Sequence, residues 1–138
     1  MIQRIQSIWL LLASACAFIS LKVPFYSGTN GVNVPSYRLL GTENFTLMLL
    51  TIAIGVAALF TIFLYSNRAL QMRLCILGIL LEGLLIYLYY RETTTFIAGT
   101  GTFSLTAILQ LLIIIFFILA IRGINKDNKI IKESNRLR

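Results

Sequence analysis

Apolar and polar residues along this chain sort into blocks; they neither alternate nor recur on one helical face. Apolar runs cover about residues 8–23 ("IWLLLASACAFISLKV"), 45–65, 74–90 and 104–121, with polar or turn-forming stretches between them. Each run is about 16 to 21 residues long, near the ~20 residues that carry a helix across ~30 Å of hydrocarbon. A helix that is apolar all round has no side meant for water. The pattern therefore predicts an all-α integral membrane protein: a four-helix antiparallel bundle with short extracytoplasmic loops, forming a single domain over 1–138.

The stretches between the runs refine this plan. Residues 24–44 hold both prolines of the chain, Pro24 and Pro35, which bar an uninterrupted helix. Within them, "FYSGTNGVNV" sets β-favouring residues on either side of Gly28, Asn30 and Gly31, which suits a small β-hairpin. Residues 91–103 form a second outer loop rich in Thr and Gly, 66–73 ("SNRALQMR") a short turn, and 122–138 a basic tail. Arg4, Arg68, Arg73, Arg122, Lys126, Lys129, Lys132, Arg136 and Arg138 fall on one side of this arrangement, and only Lys22, Arg38 and Arg91 on the other. The excess of Lys and Arg marks the cytoplasmic side, so both termini and the 66–73 turn are expected there.

Composition sharpens the class and removes functions from it. The chain is 58% hydrophobic and 12% charged, against roughly half and a quarter in a soluble domain. Its net charge of +7 is accounted for by the cytoplasmic basic excess, so no nucleic-acid partner is expected. Histidine is absent, which removes the usual metal ligand, axial haem ligand and general base. No metal site or cofactor is expected. Cys16 lies inside the first run and Cys75 at the start of the third, neither in an oxidising loop, so no disulfide is expected. "LLASAC" loosely matches a lipoprotein cleavage box, but the chain stays apolar after Cys16, which favours an uncleaved first helix.

One residue in the runs invites chemistry. Glu82 stands in "LGILLEGLLIYLYYR", nine positions from both Arg73 and Arg91, hence about 13.5 Å along the helix from each and near the bilayer midplane. A carboxyl there costs several kcal/mol unless it is protonated, paired or wet. Gln110 and Ser14 fall near the same depth, beside small residues and Cys16, so Glu82, Gln110, Ser14 and Cys16 form a candidate polar cluster. Its bland role is a neutral Glu82 hydrogen-bonded to Gln110 or Ser14 as glue between helices. Its sharper roles are a proton- or cation-responsive site, or a contact to a basic residue of a partner subunit. A second candidate surface is basic and cytoplasmic: Arg68, Gln71 and Arg73 in the turn, with Lys126, Lys129, Lys132, Arg136 and Arg138 in the tail. In the tail, Ile124 with Ile131 and Ile130 with Leu137 recur at seven residues, a narrow apolar stripe. Such a tail suits membrane lipid with anionic headgroups, or a cytoplasmic protein. Tyr87, Tyr89 and Tyr90 read as an interfacial aromatic belt. No nucleophile–base pair is visible, so no enzymatic activity is expected.

"MIQRIQSIWLLLA" at the start, "NRALQMRL" at 67–74 and "KDNKIIKESNRLR" at the end together resemble a Bacteroidetes family of four-span inner-membrane proteins of unknown function. The resemblance covers essentially the whole chain. It implies a bacterial inner-membrane, multi-pass location and the same four-helix plan, and it carries no activity. The leading expectation is a non-enzymatic accessory or scaffold subunit of a membrane complex, with a membrane-protein partner or a second copy beside it. The alternative is a small transporter or proton-linked carrier centred on Glu82.

Overall fold

The computed structural model describes residues 3–29, 31–32 and 35–137 of the chain. Four helices dominate it: α1 (Gln3–Ser20), α2 (Phe45–Phe63), α3 (Arg68–Thr93) and α4 (Ile108–Arg136). Three short strands, β1 (Pro24–Gly28), β2 (Tyr37–Leu40) and β3 (Thr102–Phe103), and a 3₁₀ turn at Leu105–Ala107 lie between helices.

The helices pack in a closed ring, with α1 and α3 each lying between α2 and α4. Neighbours run antiparallel. Gln6 near the start of α1 meets Asp127 late in α4, and Gln71 early in α3 reaches the Thr61 carbonyl near the end of α2. Each helix buries one narrow stripe. On α3 it runs Gln71, Cys75, Gly78, Glu82, Leu85, Tyr89, and on α4 Gln110, Ile113, Phe117, Ala120, Ile124, Asp127. Steps of alternately four and three residues keep one seam turned inward, the spacing of helices crossing at a shallow angle. Close approach is set by small residues: a Cβ on Gly78 would come within 2.7 Å of the Phe117 ring. The outward faces are apolar too, with Leu49, Phe60, Leu80, Leu84, Leu111 and Ile115 all exposed. An exterior this apolar, over a mainly apolar core that also buries Gln71, Glu82, Gln110 and Asp127, is unlike a soluble protein.

The helix bounds differ from the apolar runs for local reasons. The third run begins at Leu74, yet α3 begins at Arg68, because Asn67 caps it: its side chain accepts a hydrogen bond from the Leu70 amide at 3.3 Å. Residues 68–73 are thus the first turns of a helix rather than a turn. The fourth helix does not stop near Ile121 but continues to Arg136, since no proline interrupts that segment. The first helix stops at Ser20, ahead of Lys22 and Pro24.

At the end away from the termini the two outer loops form a cap. The first loop supplies a hairpin, but β1 pairs with Tyr37–Leu40, with Gly28 opposite Tyr37; Asn33 and Val34 of the expected return strand lie outside the described residues. The second loop joins the same sheet: β3 lies antiparallel on β1, with Tyr26 opposite Phe103, giving the order β2-β1-β3. The cap has its own aromatic core. The Tyr26 ring meets Phe96 and Phe103 edge-on, each at 5.0 Å between centroids. Phe25 ties the cap to the helices by stacking on Tyr89 of α3 at 4.5 Å.

Candidate functional site

The buried polar groups of the helix interior divide into two sets. At the termini end they are mostly satisfied. Gln6 donates its amide to a carboxylate oxygen of Asp127. Gln71 donates to the Thr61 carbonyl at 3.2 Å, and the Thr61 hydroxyl donates to the Ala57 carbonyl at 2.6 Å. The Thr61 carbonyl lies in the last turn of α2, where helix carbonyls have no partner within their own helix. Gln71 therefore corrects the expectation of a cytoplasmic surface contact: it is buried and closes the end of the neighbouring helix.

Toward the cap end the set is different. Glu82 is 0% exposed, and neither carboxylate oxygen has a hydrogen-bond partner among the described residues. The Tyr89 hydroxyl and the Gln110 carbonyl oxygen are likewise buried and unpartnered. Hydroxyls nearby satisfy themselves on their own helices: Ser20 donates to the Ala17 carbonyl and Thr51 to the Leu47 carbonyl, both at 2.7 Å. Buried polar groups are hydrogen-bonded in the great majority of cases, so these three toward the cap, with one Asp127 oxygen at the other end, are the unusual feature among the described residues.

The four expected cluster residues are placed as follows. Glu82 and Gln110 lie on the facing stripes of α3 and α4, and Ser14 is buried on α1. No hydrogen bond joins Glu82 to Gln110 or to Ser14. Cys16 is only partly buried. Gln110 instead lies at the cap end, where with Phe25, Ile86, Phe103, Ile108 and Leu111 it lines an apolar cavity of about 370 Å³. Glu82 is enclosed by its own chain.

Tyr89 is a second correction. The expected interfacial belt has three exposed tyrosines; Tyr87 and Tyr90 are each 61% exposed, but Tyr89 is 0% exposed. Its hydroxyl lies against the Thr51 side chain and within electrostatic reach of Glu82, without a closed hydrogen bond. Gly41, in the link from β2 to α2, passes over it; a Cβ there would be 2.7 Å from the Tyr89 oxygen. Its place is readable from spacing, since Glu82 and Tyr89 are seven residues apart and so share a face.

The basic residues lie on the other end. Arg73, Lys126, Lys129, Lys132 and Arg136 are exposed and Arg68 is half-buried; Arg138 lies outside the described residues. Arg68 and Arg73 occupy the first turns of α3, where no acidic residue is present. Positive charge there opposes the helix dipole, so these side chains are placed for something other than helix stability. In the tail, Ile124 is buried while Ile130 and Ile131 are exposed. Asp127, one turn past Gly123, lies on the inward seam; the same three-and-four spacing from Ile113 would have marked it. Among the described residues no group of three His, Cys, Asp or Glu side chains comes together.

The class is a mostly helical fold with a small three-stranded cap, in which three helices are long and apolar enough to cross a bilayer, as in a membrane protein. The chain belongs to a family described as a domain of unknown function (DUF4293), whose profile matches residues 2–137. No curated protein and no solved structure matches it.

Proposed function

We propose that the chain is a multi-pass protein of a bacterial inner membrane, crossing it four times as an antiparallel bundle with both termini cytoplasmic. In this reading it serves as a non-enzymatic accessory or scaffold subunit. The observation that supports it most is the reach of α4. Beyond Arg122 the helix runs on to Arg136 without a break, about 21 Å at 1.5 Å per residue. It exposes Lys126, Lys129, Lys132 and Arg136 together with Ile130 and Ile131. A rigid, basic, partly apolar arm attached to a membrane anchor suits a contact with an acidic cytoplasmic surface or the anionic inner leaflet. The basic excess at the same end, with Arg68, Arg73 and Arg122 beside the arm against Lys22, Arg38 and Arg91 at the other, agrees with this orientation.

The test is purification of the tagged full-length chain in mild detergent, beside a variant with Lys126, Lys129, Lys132 and Arg136 changed to Glu. The scaffold reading expects a stoichiometric membrane or cytoplasmic partner that the charge-reversed arm loses. A chain that purifies alone in both forms would count against it.

A second reading, a small proton-linked carrier centred on Glu82, is favoured by the enclosed carboxyl without a partner. Proton flux across proteoliposomes, present in the wild type and absent in Glu82→Gln, is the outcome that reading needs.

A further inference from the structure

We propose that Glu82 is a proton-binding site that exchanges with water at the cap end only, with the Tyr89 hydroxyl as the intervening group. This needs neither a partner subunit nor net transport, because a site that opens to one side binds and releases protons without moving them across.

The inference rests on how the seam is closed at its two ends. Toward the termini, Glu82 is followed on α3 by Gly78, held against the Phe117 ring, then by the fully buried Cys75, then by Gln71 in its bond to Thr61. On the α3 and α4 stripes no other hydroxyl or carboxyl lies in that direction until Asp127, at the far end of α4; the buried Ser14 of α1 stands near the level of Glu82 itself. Toward the cap the next polar group on the seam is Tyr89, two turns on, about 10.5 Å along the axis. Helical side chains lean toward the N-terminus of their helix, which carries the phenol back from Tyr89 toward Glu82. The Tyr89 hydroxyl closes no hydrogen bond among the described residues; it lies beside Thr51 and shares the inward stripe of α3 with Glu82. Thr51 gives its proton to the Leu47 carbonyl, so its oxygen can only accept. Above Tyr89 there is only the cap: Phe25 stacked on its ring and the Gly41 backbone over its hydroxyl. A glycine at that point leaves the phenol oxygen the least cover a residue can give.

The groups around Glu82 do not compete for its proton. α2 carries no ionisable side chain at all. On α4 the nearest ionisable residue is Arg122, nine positions beyond Ile113 and exposed, and α1 offers only the partly buried Cys16 thiol within the core region. Tyr89 is the one hydroxyl acid beside Glu82 on the seam. No hydrogen bond joins the phenol to the carboxylate, so in the exchange a water between them carries the proton: the phenol gives a proton to that water as the water gives one to the carboxylate and the phenol takes one from cap-side water, and the reverse steps return it. No bond other than O–H forms or breaks.

The test uses the full chain in lipid bilayers. Infrared spectra report a protonated carboxyl through its carbonyl stretch, and Glu82→Gln identifies the band. After transfer to D₂O the band shifts at the rate of proton exchange, while the amide band reports that the fold is kept. The wild type should show the band and exchange it. Tyr89→Phe keeps the ring stacked on Phe25 and should slow exchange by about tenfold or more, one hydrogen-bonding step removed from the path. Thr51→Val, which leaves Tyr89 in place, serves as the second variant. It should slow exchange less. In oriented proteoliposomes a pH step on the cap side should change the band and a step on the termini side should not. Absence of any band lost in Glu82→Gln, wild-type exchange in Tyr89→Phe, or a response from the termini side would overturn the proposal.

Discussion

Replacing Glu82 with leucine exchanges a buried carboxyl for an apolar side chain of similar volume, and the protein should become more stable. Both carboxylate oxygens are enclosed and unpartnered. A polar group buried without a hydrogen bond costs about 1–3 kcal/mol in protein mutational data, and more if it is ionised. Leucine removes that cost and, being close in volume, leaves no cavity of consequence. Little is added by a hydrophobic driving term, because the alternative surroundings of a span are lipid, as apolar as leucine itself. The net expectation is a gain of about 1–3 kcal/mol. Glu82→Gln keeps a polar head without a partner and should stay within about 0.5 kcal/mol of wild type.

The assay is reversible unfolding in mixed micelles as the fraction of denaturing detergent rises, for wild type and both variants. A Glu82→Leu protein less stable than wild type by more than about 1 kcal/mol would show that the carboxyl makes a stabilising bond, and the reasoning would fail. The sign matters beyond stability. A residue that weakens its fold and is nevertheless present is the signature of a group kept for what it does.

Gly78→Leu should destabilise by about 1–3 kcal/mol or more through overpacking on the Phe117 ring, 2.7 Å from where the new Cβ begins; Phe117→Ala in the same chain should recover part of the loss, and simple additivity would refute the contact. Asn67→Ala removes the cap of α3 at Leu70 and should cost about 0.5–2 kcal/mol in the same unfolding assay. In the cap, the Tyr37 hydroxyl donates to Glu43 at 2.7 Å. That bond first, then burial and the negative charges of Glu43 and Glu92, hold the phenol above its usual value of 10.0. A raised folded pKa means its contribution is complete below the ordinary phenol range and is lost as pH rises through the raised value. Phenolate absorbance, compared between wild type and Tyr37→Phe, should show this titration moving down in Glu43→Ala; an unchanged titration would discount the bond.

Helix number, order and approximate limits are legible in the chain because the apolar runs are long and the breakers between them strong: Pro24, Pro35 and the glycines of the two loops. What the runs hide is which face of each helix turns inward. In water that face is marked by apolar residues; here every face is apolar, and the seam is marked by the small and polar residues instead. Glu82 stands out because nothing near it is charged. Gln71 and Tyr89 lie on the same three-and-four spacing as Glu82, but near the ends of the run, where amides and tyrosines also serve the headgroup region. The strand β3 was out of reach for another reason. Two residues, Thr102 and Phe103, carry no strand pattern of their own, and they are ordered by pairing with Tyr26 and Ser27, a contact made across some 75 positions of sequence.

The placement of the polar residues along that seam bears on function more than their number does. Gln6, Gln71 and Thr61 at the termini end all donate hydrogen bonds, and paired groups of this kind fix which helix faces which. Glu82, Tyr89 and the Gln110 carbonyl, toward the cap, are buried without such bonds. If interior polarity served only to align helices, satisfied pairs at both ends would do so at lower cost. Three unpartnered groups toward the cap, against a single Asp127 oxygen at the termini end, are instead what a site needs when its missing partner, which we propose is a proton, arrives from the cap side.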